Sequence, residues 1–239
     1  MKRGPEERMK PNTVKPDQQA FVDWNEEMVR RYDIEQYYER SHPLLRWIER
    51  CRVDVLADFA AVQPETGVLE VGCGAGHVLQ RFAVAKRTGI DLSRTMLDRA
   101  RSRLGDGVEL LRASAEYLPF EPASFDVVLC TEVLEHTQHP EQVLRELMRV
   151  GTPDARIVVS IPNEGNIDRA KRFIRRVPLL RTMLRSLAPE GNEWHLHQFS
   201  LPFLRRIAAG TARIERLRGI PNNLIPLRYV ALLRAPARL

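Results

Sequence analysis

The sequence is poor in cysteine and contains no long apolar run. Its three cysteines, Cys51, Cys73 and Cys130, form no CxxC pair, which argues against a disulfide framework or a zinc cluster and favours reduced thiols. No apolar stretch approaches the roughly 20 residues that cross a bilayer. No apolar segment follows the polar, basic N-terminus as a secretory signal would require. We therefore expect a cytoplasmic protein.

Charge is unevenly distributed along the chain. Residues 1–160 carry 22 Lys and Arg against 26 Asp and Glu, whereas residues 161–239 carry 15 against 5. The formal net charge of +6 therefore arises entirely in the last third. This asymmetry indicates an anionic partner, such as a phospholipid surface, a phosphorylated substrate or nucleic acid, or else a solvated arginine-rich surface.

The hydrophobic pattern predicts a disordered tail over residues 1–17 and a single domain over residues 18–239. Apolar residues at helical spacing predict N-terminal helices over residues 18–61. Short strands then alternate with helices, which is typical of a parallel, doubly wound α/β sheet. Further along we expect a basic, helical insertion over residues 163–200 and a closing helix and strands over 201–239. The expected strands are 67–71, 86–91, 108–112, 125–130, 155–161, 212–217 and 229–234, and the expected helices of the core are 75–85, 93–104, 140–150 and 201–209.

A glycine-rich turn follows the first expected strand. Gly72, Gly74 and Gly76 lack a Cβ and let the backbone approach a ligand closely. We expect the helix over 75–85 to present free N–H groups to that ligand. Asp91 lies 19 residues after Gly72, at the end of the second strand, where a carboxylate can accept hydrogen bonds from ribose hydroxyls. His77 stands where a dinucleotide fingerprint has its third glycine, and the chain has no GxxxxGK[ST] motif, which weighs against NAD, FAD and a P-loop.

Four motifs in register over residues 67–162 resemble the class I S-adenosylmethionine-dependent methyltransferases. The matching runs are Val68-Leu69-Glu70-Val71-Gly72-Cys73-Gly74-Ala75-Gly76, Gly89-Ile90-Asp91-Leu92-Ser93, Ala113-Ser114-Ala115-Glu116-Tyr117-Leu118-Pro119-Phe120 and Ser124-Phe125-Asp126-Val127-Val128 with Thr131-Glu132-Val133-Leu134-Glu135-His136. The resemblance implies S-adenosylmethionine as the cofactor. It also implies a Rossmann-like, mostly parallel seven-stranded sheet, with its last two strands antiparallel and the N-terminal helices as a cap.

The resemblance also assigns roles to individual residues. In the family, the residue matching Glu70 organises the turn near the methionine end, and the residue matching Asp91 holds the ribose. Residues matching Ser114, Ala115 and Glu116 border the adenine, and those matching Thr131 and Glu132 flank the transferable methyl group. The implied cofactor-binding residues are Glu70, Gly72, Gly74, Gly76, Asp91, Leu92, Ala115, Glu116 and Thr131. Two alternatives stay open, because Glu70 could simply cap backbone N–H groups and Glu116 could be a surface residue.

An oxygen or nitrogen acceptor needs a base near the ends of strands four and five. The predicted catalytic residues are His136, Glu132 and His197, with Glu135 and His195 as further candidates. The run 132–136 together with 192–199 is similar to quinone-biosynthesis O-methyltransferases. It also resembles magnesium-dependent small-RNA 2′-O-methyltransferases, which would make Glu132, Glu135, His136 and His197 metal ligands. Because this motif is common across the broad family, we expect no bound metal.

Residues 167–187 combine an apolar helical face with many arginines, and Pro178 is expected to divide them into two helices. This segment is either a lid over the acceptor or a peripheral contact with an anionic membrane, and we favour the lid. Both interpretations suit a lipophilic acceptor. The sequence thus predicts methyl transfer to a small acceptor, with an oxygen nucleophile preferred. One alternative is an RNA 2′-O-methyltransferase, although residues 161–239 show little of the alternation of aromatic and basic residues that RNA binding favours. The other alternative is a non-catalytic cofactor-binding module.

Overall fold

A computed structural model describes residues 19–32, 42–177 and 194–236. The expected tail, residues 1–17, and the part of the insertion over residues 178–193, including its second helix, lie outside these ranges. Within them, no helix combines the length and the apolar character that a membrane span requires.

Seven strands form one mixed sheet in the order β3-β2-β1-β4-β5-β7-β6. Strands β1 to β5 are parallel, while β7 runs antiparallel to both β5 and β6. This confirms the expected Rossmann-like sheet with an antiparallel closing pair. The strands are β1 Gly67–Val71, β2 Lys86–Asp91, β3 Val108–Arg112, β4 Phe125–Thr131, β5 Gly151–Pro162, β6 Arg213–Ile220 and β7 Arg228–Arg234. The α-helices are α1 Gln19–Arg31, α2 Pro43–Ala60, α3 Arg94–Leu104, α4 Pro140–Val150, α5 Glu164–Arg176 and α6 Leu201–Ala208.

Local sequence signals set several helix starts. Ser93 caps α3 by accepting a hydrogen bond from the backbone N–H of Met96, and Ser200 caps α6 in the same way through Phe203. Pro140 occupies the first turn of α4, where its missing N–H costs nothing. These caps agree with the starts expected from the sequence.

The connection between β1 and β2 differs from the sequence prediction. The expected α-helix over residues 75–85 is wrong, because only Leu79–Phe82 is helical, and that segment is a 3₁₀-helix. The connection must run back along a strand that is about 17 Å long at about 3.3 Å per residue. An α-helix over residues 75–85 would need all 11 residues to cover about 16 Å, and it would leave no residue for a turn before β2 begins at Lys86. A 3₁₀-helix rises further per residue and leaves room for that turn.

Alternate residues of the central strands pack into two separate cores. Leu69 of β1 belongs to a cluster that includes Leu147 of α4 and Leu204 of α6. Val68 belongs to a second cluster that includes Leu56 and Phe59 of α2. Because successive residues of a strand point to opposite faces, both faces of the sheet are covered by helices.

Five buried or half-buried side chains form a closed ring at the carboxyl ends of the central strands; we name it the ionic ring. It consists of Glu49, Arg52, Glu132, Ser160 and Arg228. Glu132 accepts hydrogen bonds from Ser160 Oγ and from Arg228 Nε, both at 2.9 Å. Glu49 pairs with Arg228 Nη1 at 3.2 Å and with Arg52 Nε at 2.9 Å. Arg52 Nη1 closes the ring by donating to Ser160 Oγ at 3.2 Å.

The ionic ring joins α2, β5 and β7 to the turn after β4. Burial opposes ionisation of Glu49, but the guanidinium groups of Arg52 and Arg228 hold its pKa below the usual value. Two carboxylates thus face two guanidinium groups, so that each buried charge has a partner. Glu132 adopts a left-handed backbone conformation with φ of 54°, which is unfavourable for a residue with a Cβ. The hydrogen bonds to both of its carboxylate oxygens hold it there.

Removing one guanidinium from the ionic ring should destabilise the fold strongly. We expect Arg52→Met to lower the free energy of unfolding by about 3–5 kcal/mol, because it leaves a buried carboxylate without its partner. Urea unfolding followed by circular dichroism measures this loss. Arg50→Met, at an exposed position of the same helix, is the matched control and should cost less than about 0.5 kcal/mol. Equal losses in the two variants would contradict a stabilising role of the ring.

Candidate active site

The glycine turn after β1 forms one wall of a crevice at the carboxyl ends of the strands. Gly72 and Gly76 have φ values of 69° and 82°. A Cβ on Gly72 would collide with the side chain of Val133, and one on Gly76 would lie 2.7 Å from Leu104. Gly74 also has a positive φ, but its Cβ position has no heavy atom within 4 Å. The middle of the turn therefore faces open space, where a ligand can approach the backbone.

Asp91 fastens this turn to the end of β2. Its two carboxylate oxygens accept hydrogen bonds from the backbone N–H groups of Gly74 and Ser93, each at 2.8 Å. Burial raises the pKa of Asp91 to about 6, although these hydrogen bonds oppose the increase. Each carboxylate oxygen has a second lone pair, so the group can still accept two ribose hydroxyls.

Glu70 lies at the base of the same crevice. Its side chain is buried, and burial raises its pKa to about 8 against the opposing influence of Arg52. Its Oε2 atom has no hydrogen-bond partner within the described ranges. A buried acceptor without a partner requires an explanation, and a cationic or hydrogen-bonding ligand group would provide one.

Glu116 follows the end of β3, two strands away from the glycine turn. The Glu116 side chain is only 3% exposed, so the alternative of a surface residue is wrong. Its Oε1 accepts from the backbone N–H groups of Gln138 and His139, both at 2.9 Å. Of the other residues expected at the cofactor, Leu92 and Ala115 are half-buried. Thr131 is buried at the end of β4. Glu116 therefore holds the segment before α4 in place.

Aromatic and apolar side chains cover the crevice near α1. Val29 of α1 packs with Ala75 of the glycine turn and Met96 of α3, and Trp194 packs against this cluster. Trp194 also stacks on Tyr32 and lies 4.8 Å from the ring of His136, measured between centroids. Trp194 therefore contacts both Tyr32, which follows α1, and His136, one of the catalytic candidates.

Glu135, His136 and His195 lie together at the ends of β4 and β5. Each offers one ligand atom, and these three atoms lie within 4.8 Å of one another. Burial raises the pKa of Glu135 well above its usual value, and the nearby Glu132 adds to this increase. Burial also lowers the pKa of His136 to about 4, so that His136 is neutral at pH 7.

The hydrogen bonds of the two histidines define their tautomers. His136 Nδ1 lies 3.1 Å from the carbonyl oxygen of Trp194, to which it must donate. His195 Nδ1 lies 2.6 Å from Glu164 Oε1, to which it donates a hydrogen bond. In the neutral form of each ring, the accepting nitrogen is therefore Nε2.

The other two predicted catalytic residues lie elsewhere. Glu132 belongs to the ionic ring, and both of its oxygens accept hydrogen bonds there. His197 Nε2 lies 3.0 Å from the carbonyl oxygen of Thr137 and 3.3 Å from that of Gln138, outside the cluster. Sequence reasoning missed Glu164, although its position just after the last parallel strand places it at the ligand-binding edge.

Comparisons with known proteins agree with the fold. The profile of the family described as "Methyltransferase domain" matches residues 69–159. The ubiquinone biosynthesis O-methyltransferase of Thiobacillus denitrificans is 33% identical over 198 residues, covering 80% of this chain and 78% of the relative. That of Pseudoalteromonas translucida is 30% identical over 172 residues, covering 70% and 69%. The structure of magnesium protoporphyrin IX methyltransferase from Synechocystis PCC 6803, with bound SAH, superposes with a TM-score of 0.66 at 17% identity, over 92% of this chain and all of that one.

The strand order, the glycine turn and Asp91 together define a Rossmann-like protein that binds a nucleoside cofactor at the carboxyl ends of its strands. The family profile and the two O-methyltransferase relatives identify its family. The chain belongs to the class I S-adenosylmethionine-dependent methyltransferases. It is an enzyme, and its cofactor is S-adenosylmethionine.

The raised pKa of Asp91 predicts a pH-dependent cofactor affinity. We expect the affinity for S-adenosylhomocysteine to fall as the pH drops through about 6, because the protonated acid accepts ribose hydroxyls less well. For one proton the loss approaches about tenfold per pH unit, and calorimetry between about pH 5 and about pH 7 measures it. Glu70, with its pKa of about 8, stays protonated throughout this window.

Asp91→Asn provides the control for that profile. Gly74 and Ser93 donate to different oxygens of Asp91, and asparagine replaces one of these oxygens with an NH₂ group, so affinity at neutral pH should drop by at least about tenfold. The residual affinity should no longer depend on pH over the same window. A profile as steep as that of the unmodified enzyme would show that another group is responsible.

Proposed function

We propose that this methyltransferase transfers its methyl group to a hydroxyl oxygen of a small, lipophilic acceptor. The observation that carries the proposal is the pair of histidines His136 and His195 at the carboxyl ends of β4 and β5. A hydroxyl must lose its proton as its oxygen attacks, so it needs a base at that edge of the sheet. The names of the two O-methyltransferase relatives support an oxygen nucleophile and an acceptor of quinone-precursor type.

The unpartnered Oε2 of Glu70 and the open position beside Gly74 support a cofactor across the ends of β1 and β2. We assign Asp91 and Leu92 to the ribose. The other assigned residues border the adenine or the methionine part, and they are Glu70, Gly72, Gly74, Gly76, Ala115, Glu116 and Thr131. When bound, S-adenosylmethionine supplies an electrophilic methyl carbon on a sulfonium, and the protein excludes water and aligns the acceptor.

His195 is the stronger of the two base candidates. Glu164 orients its ring through Nδ1 and stabilises the imidazolium that forms when Nε2 takes the acceptor's proton. His136 is held by a neutral carbonyl and has a lowered pKa, so it binds a proton weakly. We assign His136 to alignment of the acceptor beside Trp194. Glu132 acts through the ionic ring, and His197 supports the segment before α4.

Two imidazoles beside a carboxylate are also a donor set that transition metals prefer. In this structure, such a set would comprise Glu135, His136 and His195, whereas the sequence motif implied Glu132 and His197 in place of His195. When bound there, a divalent ion would gather neighbouring acceptor hydroxyls. This arrangement is the second candidate and would suit a metal-assisted 2′-O-methyltransferase of RNA.

A labelled-methyl screen distinguishes these candidates. The acceptors are catechols with and without an alkyl chain, matched anilines, and single-stranded RNA carrying a 3′-terminal 2′-hydroxyl. Each acceptor is tested after chelation and again with magnesium, manganese or zinc. We expect transfer to alkyl catechols without added metal. Transfer to RNA alone, or activity that needs a metal in every case, would contradict the proposal and favour the second candidate.

Substitution of His195 tests its role as the base. His195→Asn should lower kcat by about 10²–10⁴-fold, which is the contribution of general-base catalysis, while the affinity for S-adenosylhomocysteine stays unchanged. His139→Asn, at an exposed histidine position in the same region, is the matched control and should retain kcat.

Glu164→Gln should lower kcat less than His195→Asn does. The amide still accepts a hydrogen bond from His195 but carries no charge to stabilise the imidazolium that forms during transfer. Full activity in both variants would contradict the assignment of a His195–Glu164 base.

A further inference from the structure

The turn between β6 and β7, residues 221–227, exposes two large aliphatic side chains. Leu224 is 92% exposed and Ile225 is 67% exposed. We name these two residues the apolar tip. Single exposed apolar residues are common on protein surfaces, but two adjacent ones at the end of a turn are less so.

Hydrogen bonds hold the apolar tip in a defined conformation. Asn222 Oδ1 accepts from the backbone N–H groups of Leu224 and Ile225, at 2.9 and 3.0 Å. Asn223 Oδ1 accepts from the N–H of Gly219 at 2.7 Å. The asparagines of the turn thus satisfy its backbone, while its aliphatic side chains project into solvent. This is the reverse of an ordinary surface turn, where polar side chains face water.

The same turn is fastened to the start of α5. The Nδ2 atoms of Asn163 and Asn166 both donate to the carbonyl oxygen of Pro226 at 2.9 Å. Asn163 also donates its backbone N–H to the carbonyl oxygen of Leu227 at 2.8 Å. The turn and the helix therefore form one surface, at the same edge of the sheet as Glu164 and His195.

The helix contributes positive charge to that surface. Arg169, Arg172, Phe173 and Arg176 are exposed and lie at the spacing of one helix face; we name them the arginine stripe. Phe173 is 61% exposed. It follows Asn166 by two helical turns, or about 10 Å, and therefore lies on the side of α5 that meets the turn.

We propose that the apolar tip and the arginine stripe form one docking face for an anionic lipid membrane. Leu224 and Ile225 insert between the lipids, Phe173 lies at the level of the headgroups, and the arginines contact the phosphates. This combination of aliphatic, aromatic and basic side chains is the one that interfacial segments use. The inference rests on the proposed lipophilic acceptor for its purpose, because docking at this edge would open the acceptor site toward the bilayer.

Two other occupants fit this surface less well. A second copy of the chain, related by twofold symmetry, would bring arginine stripe against arginine stripe, and like charges repel. An RNA partner would use the arginines but would leave Leu224 and Ile225 without contacts, because bases stack on aromatic side chains. The apolar tip therefore favours lipid over RNA.

Vesicle co-sedimentation of the full chain tests the docking face. We use phosphatidylcholine vesicles with and without about one third phosphatidylglycerol, at low and high salt. We expect binding to the anionic vesicles only, and weakening of that binding by salt. Leu224→Ser with Ile225→Ser should reduce partitioning by at least tenfold at either salt concentration. Val84→Ser is the matched control, since Val84 is 66% exposed at the opposite edge of the sheet, and it should retain binding.

A fluorescence measurement reports insertion directly. Leu224→Trp should show a blue-shifted emission with anionic vesicles and quenching by brominated lipid chains. Equal losses in the Val84 and double-serine variants, or an unquenched Leu224→Trp, would overturn the proposal, as would dimerisation or RNA binding through the same residues. Methylation of a short-chain alkyl catechol, supplied without vesicles, is measured in parallel. Vesicle binding without catechol methylation would refute the proposed function. Catechol methylation without vesicle binding would refute only the docking face.

Discussion

The ionic ring is the constraint on which the catalytic edge depends. It connects a helix before the sheet with the last strand, through residues as far apart in sequence as Glu49 and Arg228. In doing so it fixes Glu132 in a left-handed conformation that its own backbone does not favour. The turn that begins there carries Glu135 and His136 into the site. The geometry of the catalytic candidates is thus determined by charges that do not themselves take part in the chemistry.

Strands and helix starts were predictable because their signals are local. The apolar run of β4, the glycine turn and the cap at Ser93 each require only a few neighbouring residues. The prediction of an α-helix over residues 75–85 was wrong, because the same apolar spacing can form an α-helix or a 3₁₀-helix. The choice between them depended on the distance from the end of β1 to the start of β2. That distance is set by the sheet, which a local pattern does not describe.

The candidate site was predictable only in part, for a related reason. Asp91 and the glycines follow from spacing, because two adjacent parallel strands bring them together. The pairing of His195 with Glu164 joins residues that are 31 positions apart, across an insertion. The histidines at 195 and 197 have the same chemistry and nearly the same position, so only the packing of Trp194 and α5 distinguishes them. Composition and spacing carry no information on that choice.

The short 3₁₀ turn after the glycines has a consequence for the turnover of the cofactor. A full α-helix aimed at the crevice would place about half a positive charge at its N-terminus, which favours phosphate groups and opposes a sulfonium. With a single turn in its place, the charged group bound to the glycine turn is Asp91, whose pKa of about 6 leaves it ionised at pH 7. A wall of this polarity prefers the cationic reactant over the uncharged thioether left behind. The positive charge leaves the sulfur and departs as the proton of the acceptor, so the spent nucleoside is held less tightly than the reactant and its release is favoured.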